Sequence, residues 1–106
     1  MKLTFSEHAW DDYLYWQRDD RKILERINKL IKEMQRSPFE GAGKPEPLKH
    51  GLAGYWSRRI TDEHRIVYKV EKDSLLIAQL IAVIKWMEYI AFNKNFTFSS
   101  IFKYLH

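Results

Sequence analysis

The spacing of apolar and polar positions predicts two amphipathic helices in the first third of the chain. Between residues 20 and 36, apolar side chains recur every three or four positions, which is the spacing of one helix face. They are Ile23, Leu24, Ile27, Leu30, Ile31 and Met34. A shorter helix is predicted before it, from about 7 to 18, with Ser6 as its N-cap. Asp19 or Asp20 is the predicted N-cap of the longer, second helix. Ser37 precedes Pro38, so the second helix ends there.

The rest of the apolar pattern predicts strands. Residues 38–54 hold all three prolines and all four glycines, which indicates a loop with at most a short extended piece from Glu46 to Lys49. A first strand contains Leu3 and Phe5, and three more are predicted at 55–61, 65–70 and 75–84. The last is apolar on both faces, as in a central strand. We therefore predict an α+β fold, with a small, mainly antiparallel sheet and two N-terminal helices packed on one face.

The turn between residues 55–61 and 65–70 decides which side chains share a face. If Ile60 pairs with Ile66, the loop has an odd number of residues and both side chains face the helices. Alternation along the strands then places Arg59, Arg65 and Lys69 together on the opposite face. A two-residue loop would separate Arg59 from Arg65. We favour the odd loop because it sorts the apolar residues better.

Composition narrows the function classes. The 106 residues suit one domain, and 18 Lys and Arg against 14 Asp and Glu mildly favour an anionic partner. The absence of cysteine excludes a disulfide scaffold and a cysteine nucleophile. The N-terminus lacks the long apolar core of a signal peptide, so we expect a cytoplasmic protein. No uninterrupted apolar stretch is long enough to predict a membrane span.

A carboxylate lies among cations in the middle of the chain. Residues 44–69 hold six Lys and Arg against three acids, a balance that suits a phosphodiester backbone. RNA supplies its own nucleophile, the 2′-OH, so cleavage needs a base, cations and an acid for the leaving oxygen. Glu46 could be the base, Arg59 and Arg65 the electrostatic clamp, and Lys49 a phosphate contact or proton donor. The alternative is a solvated basic surface on which Glu46 only pairs with an arginine.

Four sequence blocks carry a family resemblance. They are Trp-Asp-Asp-Tyr-Leu-Tyr-Trp at 10–16, Ser-Pro-Phe-Glu-Gly at 37–41, Gly-Lys-Pro-Glu-Pro-Leu-Lys-His at 43–50 and the run at 56–68. Together they resemble the YoeB/Txe toxins of bacterial type II toxin–antitoxin systems, in register over roughly residues 1 to 79. The resemblance implies a RelE-like, microbial-ribonuclease-like fold and cleavage of mRNA at the ribosome without a metal ion or cofactor.

The resemblance also implies site residues and partners. Glu46 matches the family's general base and Arg65 its transition-state clamp, while Lys49 and Arg59 match accessory phosphate-contacting positions. The implied partners are a YefM-like antitoxin, mRNA and the ribosome, with no membrane partner. A homodimer is left open.

The chain departs from this family after residue 79. Family members end shortly after the block at 74–78, with a histidine that is the favoured general acid and a tyrosine, whereas Val83 and Ile84 stand at those positions here. Residues 80–106 hold seven of the sixteen aromatics and neither glycine nor proline. We hypothesise a frameshift or read-through; the alternative is a divergent subfamily with its own C-terminal strand and helix.

Two functions therefore stay open. We predict a toxin domain at 1–84 and an atypical extension at 85–106, with a short helix at 86–93 and a flexible tail. The first function is an mRNA endoribonuclease impaired by its altered end, since losing a general acid costs about 10²–10⁴-fold in rate. The second is a catalytically inactive module that captures antitoxin or takes part in transcriptional autoregulation.

Overall fold

Two helices lie on one face of a five-stranded sheet in the computed structural model, which describes residues 1–49 and 52–81. The elements are β1 (Lys2–Phe5), α1 (Glu7–Asp19), α2 (Arg21–Arg36), β2 (Glu46–Pro47), β3 (Tyr55–Arg59), β4 (Arg65–Glu71) and β5 (Ser74–Gln79). The strand order is β1-β5-β4-β3-β2, and only β1 and β5 run parallel. The predicted α+β class and mainly antiparallel sheet are confirmed.

Both helices begin at the predicted caps. Ser6 Oγ accepts a hydrogen bond from the amide of Ala9 at 3.0 Å, and Asp20 Oδ1 accepts two at the start of α2. The apolar face of α2 is buried against Ile66, Tyr68, Leu75 and Ile77 of the sheet, except that Ile23 is only partly buried. This interface is the main core, so the other face of the sheet is left for the site.

The β3–β4 hairpin has a different register from the predicted one. Arg59 pairs with Arg65, and the amide of Ile60 donates to the carbonyl of His64 at 2.9 Å. The predicted Ile60–Ile66 pairing is wrong by two residues. The reason is Thr61, whose Oγ1 accepts hydrogen bonds from two amides of the turn at 3.2 and 3.0 Å and closes it early. The loop still has an odd number of residues, so the predicted faces are confirmed.

Helix α1 fixes the end of β5. Asp12 Oδ2 accepts hydrogen bonds from the amides of Leu80 at 3.0 Å and Ile81 at 3.2 Å, and Trp16 Nε1 donates to the carbonyl of Leu80 at 3.0 Å. The backbone groups of Leu80 and Ile81 that bond to Asp12 and Trp16 are those that would pair with a neighbouring strand if β5 continued. The predicted extension of this strand past Gln79 is therefore wrong for Leu80 and Ile81.

The predicted C-terminal features lie outside the described residues. The helix at 86–93, the tail and the boundary at residue 84 stay predictions, as does any continuation of the strand through 82–84. Within residues 1–49 and 52–81, no helix is long and apolar enough to cross a membrane.

Candidate functional site

The strand register brings three of the four predicted site residues together. Arg59 and Arg65 are directly opposite each other on β3 and β4, and Glu46 is opposite Ser57 on β2 and β3. Positions two apart on a strand share a face, so Glu46 is a diagonal neighbour of Arg59, about 7–8 Å away between Cα atoms. All three lie on the sheet face away from the helices.

The hairpin turn holds the guanidinium of Arg65 in place. The side chain is only 7% exposed, and its Nη1 donates to the carbonyls of Thr61 at 2.8 Å and His64 at 3.1 Å. Within the described residues, Arg65 forms no salt bridge with a carboxylate, and its hydrogen bonds all use Nη1. In the part of the chain that the structure describes, Nη2 and Nε have no hydrogen-bond partner, and both are groups that can donate to an anion.

Burial and the neighbouring Arg59 both disfavour the charged form of Arg65. Burial is the largest cause that lowers the pKa of its guanidinium below the ordinary value for arginine, and the neighbouring charge of Arg59 lowers it further. Glu46 and Asp62 act in the opposite direction without compensating. Arginine stays charged at neutral pH, so two adjacent cations here favour an anion with more than one oxygen, such as a phosphodiester.

The structure separates Lys49 from the other three residues. β2 and β3 are antiparallel, so the two ends of β3 have different neighbours. At one end, the amide of Leu48 donates to the carbonyl of Tyr55 at 2.8 Å. At the other end, the amide of Arg59 donates to the carbonyl of Gly43 at 2.7 Å. Lys49 therefore follows the end of β2 beside Tyr55, about 14 Å along β3 from Arg59 at 3.4 Å per residue. It is exposed. This location suits a phosphate further along an RNA strand better than a proton donor at the arginines.

Arg58 does not belong to the basic face. Arg58 is one of the six Lys and Arg residues between positions 44 and 69. Its side chain, however, is fully buried on the helix side of the sheet. It donates to three backbone carbonyls of the preceding loop, those of Ser37, Glu40 and Ala42. Strand alternation predicts this role, because Arg58 lies two residues from Trp56 on β3 and two residues from Ile60 just after it, and both of these apolar side chains face the helices.

The remaining chemistry of the face is limited. Among residues 1–49 and 52–81, no group of three His, Asp or Glu side chains is arranged to hold a metal ion. His64 lies on the helix side, where its ring contacts that of Trp16 with 5.0 Å between centroids. The arrangement thus places a carboxylate beside two cations. Cleavage of a phosphodiester by a 2′-OH needs a base to remove the hydroxyl proton and cations to stabilise the charge that develops on the phosphate.

Comparison with known proteins gives the family. Residues 5–82 match the family described as "YoeB-like toxin of bacterial type II toxin-antitoxin system". Toxin YoeB of Escherichia coli K12 is 68% identical over 78 residues, which are 74% of this chain and 93% of that protein. The matched region ends just before Val83 and Ile84.

Solved structures agree. The YoeB/ParE toxin from Agrobacterium tumefaciens superposes with a TM-score of 0.76 at 52% identity, covering 77% of this chain and 98% of that one. YoeB from Staphylococcus aureus has been solved as a dimer and in a YoeB–YefM complex, and both structures superpose with a TM-score of 0.72. The sequence identities are 46% and 45%, respectively, and each superposition covers 76% of this chain and 94% of the S. aureus chain. This chain belongs to the YoeB-like toxins of bacterial type II toxin–antitoxin systems.

Proposed function

We propose that this toxin is a metal-independent endoribonuclease that cleaves mRNA at the ribosome. Glu46 removes the proton from a 2′-OH, and the resulting oxygen attacks the adjacent phosphorus. The bond to the 5′-oxygen breaks, which leaves a 2′,3′-cyclic phosphate and a 5′-OH once the leaving oxygen has taken up a proton. Arg65 and Arg59 stabilise the charge that develops on the non-bridging oxygens.

The observation that carries the proposal is the cross-strand pair of Arg59 and Arg65. Like charges directly opposite each other destabilise a sheet, and burial of Arg65 adds to that cost. A bound phosphodiester removes the repulsion by placing an anion between the two guanidinium groups. The diagonal position of Glu46 puts a base next to this anion.

A catalytically inactive binding module is the second candidate. It is favoured by Val83 and Ile84, neither of which can donate a proton, because they stand where the resemblance implies the family's terminal His and Tyr. In that case the same arginines would hold an acidic segment of a partner. The module would capture antitoxin or take part in transcriptional autoregulation.

The partners follow from the relatives. S. aureus YoeB has been solved with YefM and as a dimer. We propose that this chain likewise binds a YefM-like antitoxin, that it pairs with a second copy of itself, and that it acts in the cytoplasm, where ribosomes and mRNA are found.

Cleavage of ribosome-bound mRNA by the full-length chain tests the function. We expect Glu46→Gln and Arg65→Ala each to slow cleavage by about 10²-fold or more. The matched controls are Glu25→Gln and Arg21→Ala, exposed positions on α2, and both should cleave like the parent. Equal cleavage by parent and site variants would refute the assigned site. No cleavage by the parent, with antitoxin binding intact, would establish the binding module.

A further inference from the structure

The loop before the proposed base has little regular structure of its own. Residues 37–45 connect α2 to β2 and include Pro38, Gly41, Gly43 and Pro45. Glu46 follows this loop directly. The position of the base therefore depends on what holds the loop against the sheet.

Arg58 donates three hydrogen bonds that hold the loop. Its Nη2 donates to the carbonyls of Ser37 at 2.5 Å and Glu40 at 2.7 Å, and its Nη1 donates to that of Ala42 at 3.1 Å. Its Nε donates to the hydroxyl of Tyr68 at 3.2 Å. The guanidinium is fully buried, so these acceptors replace its hydration and make its position costly to change.

Two further side chains complete the contact. The hydroxyl of Tyr68 donates to the carbonyl of Pro38 at 2.6 Å. Glu33 Oε1 on α2 accepts from the amide of Ala42 at 2.8 Å and lies 3.6 Å from Arg58 Nη1. We call Glu33, Arg58 and Tyr68 the loop anchor. They join one helix and two strands to the same loop, so the loop is tied to rigid elements on several sides.

The loop anchor connects to the site across the sheet. Arg58 and Arg59 are adjacent on β3, and their side chains lie on opposite faces. The amide of Arg59 donates to the carbonyl of Gly43 at 2.7 Å, and Glu46 is only three residues further along. Movement of the anchored loop would therefore be passed to Glu46 through a very short connection.

We propose that Glu33, Arg58 and Tyr68 are positioning residues, which act through the loop to hold the Glu46 carboxylate against Arg59 and Arg65. This proposal rests on the proposed function, because it assigns the loop anchor a role in the same site. A displacement of about 1 Å at a reacting group can cost about 10²-fold in rate, so the loop anchor matters for catalysis although it lies on the far face.

Tyr68→Phe tests the anchor with the smallest change. It removes one hydroxyl that both donates and accepts, and it keeps the ring in the core. Tyr13→Phe is the matched control, because Tyr13 donates to Asn28 Oδ1 between the helices, away from the loop. By amide hydrogen exchange, Tyr68→Phe should speed exchange at Arg59 about tenfold. Ile31 in α2 should not change, and Tyr13→Phe should change neither. Equal acceleration at both amides, or none, would overturn the loop anchor.

A double-mutant comparison tests the link to Glu46. Tyr68→Phe should slow cleavage of ribosome-bound mRNA about tenfold without weakening RNA binding, and it should have no further effect in a Glu46→Gln background. The same loss in both backgrounds would contradict positioning of Glu46 and leave only a structural role. If parent and Glu46→Gln cleave equally, the proposed function fails, whereas the exchange rates still decide whether the loop anchor exists.

Discussion

Replacing Asp12 with alanine removes the carboxylate that joins α1 to the end of β5. The side chain is 1% exposed and accepts hydrogen bonds from the amides of Leu80 and Ile81 at 3.0 and 3.2 Å. A hydrogen bond to a charged group contributes about 1.5–3 kcal/mol, and the truncation also leaves two amide donors without their acceptor. We therefore expect Asp12→Ala to lower the free energy of unfolding by about 3 kcal/mol or more.

Thermal and urea unfolding, followed by circular dichroism, measure this effect. A loss of about 3 kcal/mol corresponds to a Tm lower by about 10–20 °C for a domain of this size. Asp12→Asn keeps one oxygen acceptor and should lose only about half as much free energy. Asp11→Ala is the control, because Asp11 is exposed on the same helix. A Tm for Asp12→Ala equal to that of Asp11→Ala would refute the view that α1 fixes the end of β5.

Three other substitutions test separate parts of the structure. Gly41→Ala should destabilise by about 1–3 kcal/mol in urea unfolding, because φ is +111° and a Cβ would lie 1.9 Å from Glu33 Oε1. Gly54→Ala, also at positive φ but 3.5 Å from the nearest atom, should cost less, and equal costs would contradict the close approach. Burial raises the pKa of Tyr68 above 10.0, so the folded state holds that proton more tightly than the unfolded state. Stability is therefore retained below pH 10.0 and lost as pH rises through the raised pKa of the folded state, so the urea-midpoint advantage of the parent over Tyr68→Phe should shrink only above about pH 10; a constant advantage would contradict the shift. Trp10→Ala should reduce self-association, measured by analytical ultracentrifugation, more than Phe39→Ala does. Both side chains are about half exposed, but Trp10 stacks on Tyr13 beside the edge strand β1. Equal effects of the two substitutions would argue against a dimer interface beside β1.

Much of the fold could be predicted because periodicity and capping agree with each other. The apolar face of α2, its cap at Asp20 and its end before Pro38 are each local signals, and the structure confirms all three. The parity of the β3–β4 loop is also a local property, since it follows from which residues must be buried. Parity alone grouped Arg59 with Arg65.

The exact register could not be predicted in the same way. It depends on Thr61 Oγ1, which bonds two amides of the turn, and many side chains could have closed a loop of either length. The end of β5 depends on Asp12, whose partners are nearly seventy residues away in the chain. Long-range hydrogen bonds of this kind leave no pattern in the local sequence.

The candidate site was predicted better in its composition than in its geometry. Glu46, Arg59 and Arg65 do share a face, but Lys49 lies at the other end of β3 and Arg58 belongs to the core. A count of charges cannot distinguish these cases, because it ignores which side of a strand each residue occupies. The roles of all four predicted residues stay proposals.

One substitution in the RNA tests the central claim most directly. The full-length chain is incubated with ribosome-bound mRNA that carries a single 2′-deoxynucleotide immediately before the cleaved bond, alongside the all-ribose mRNA. If Glu46 activates the 2′-OH beside Arg59 and Arg65, the all-ribose mRNA is cleaved to a 2′,3′-cyclic phosphate and the deoxy-substituted bond stays intact. Cleavage of both at the same rate would contradict the account.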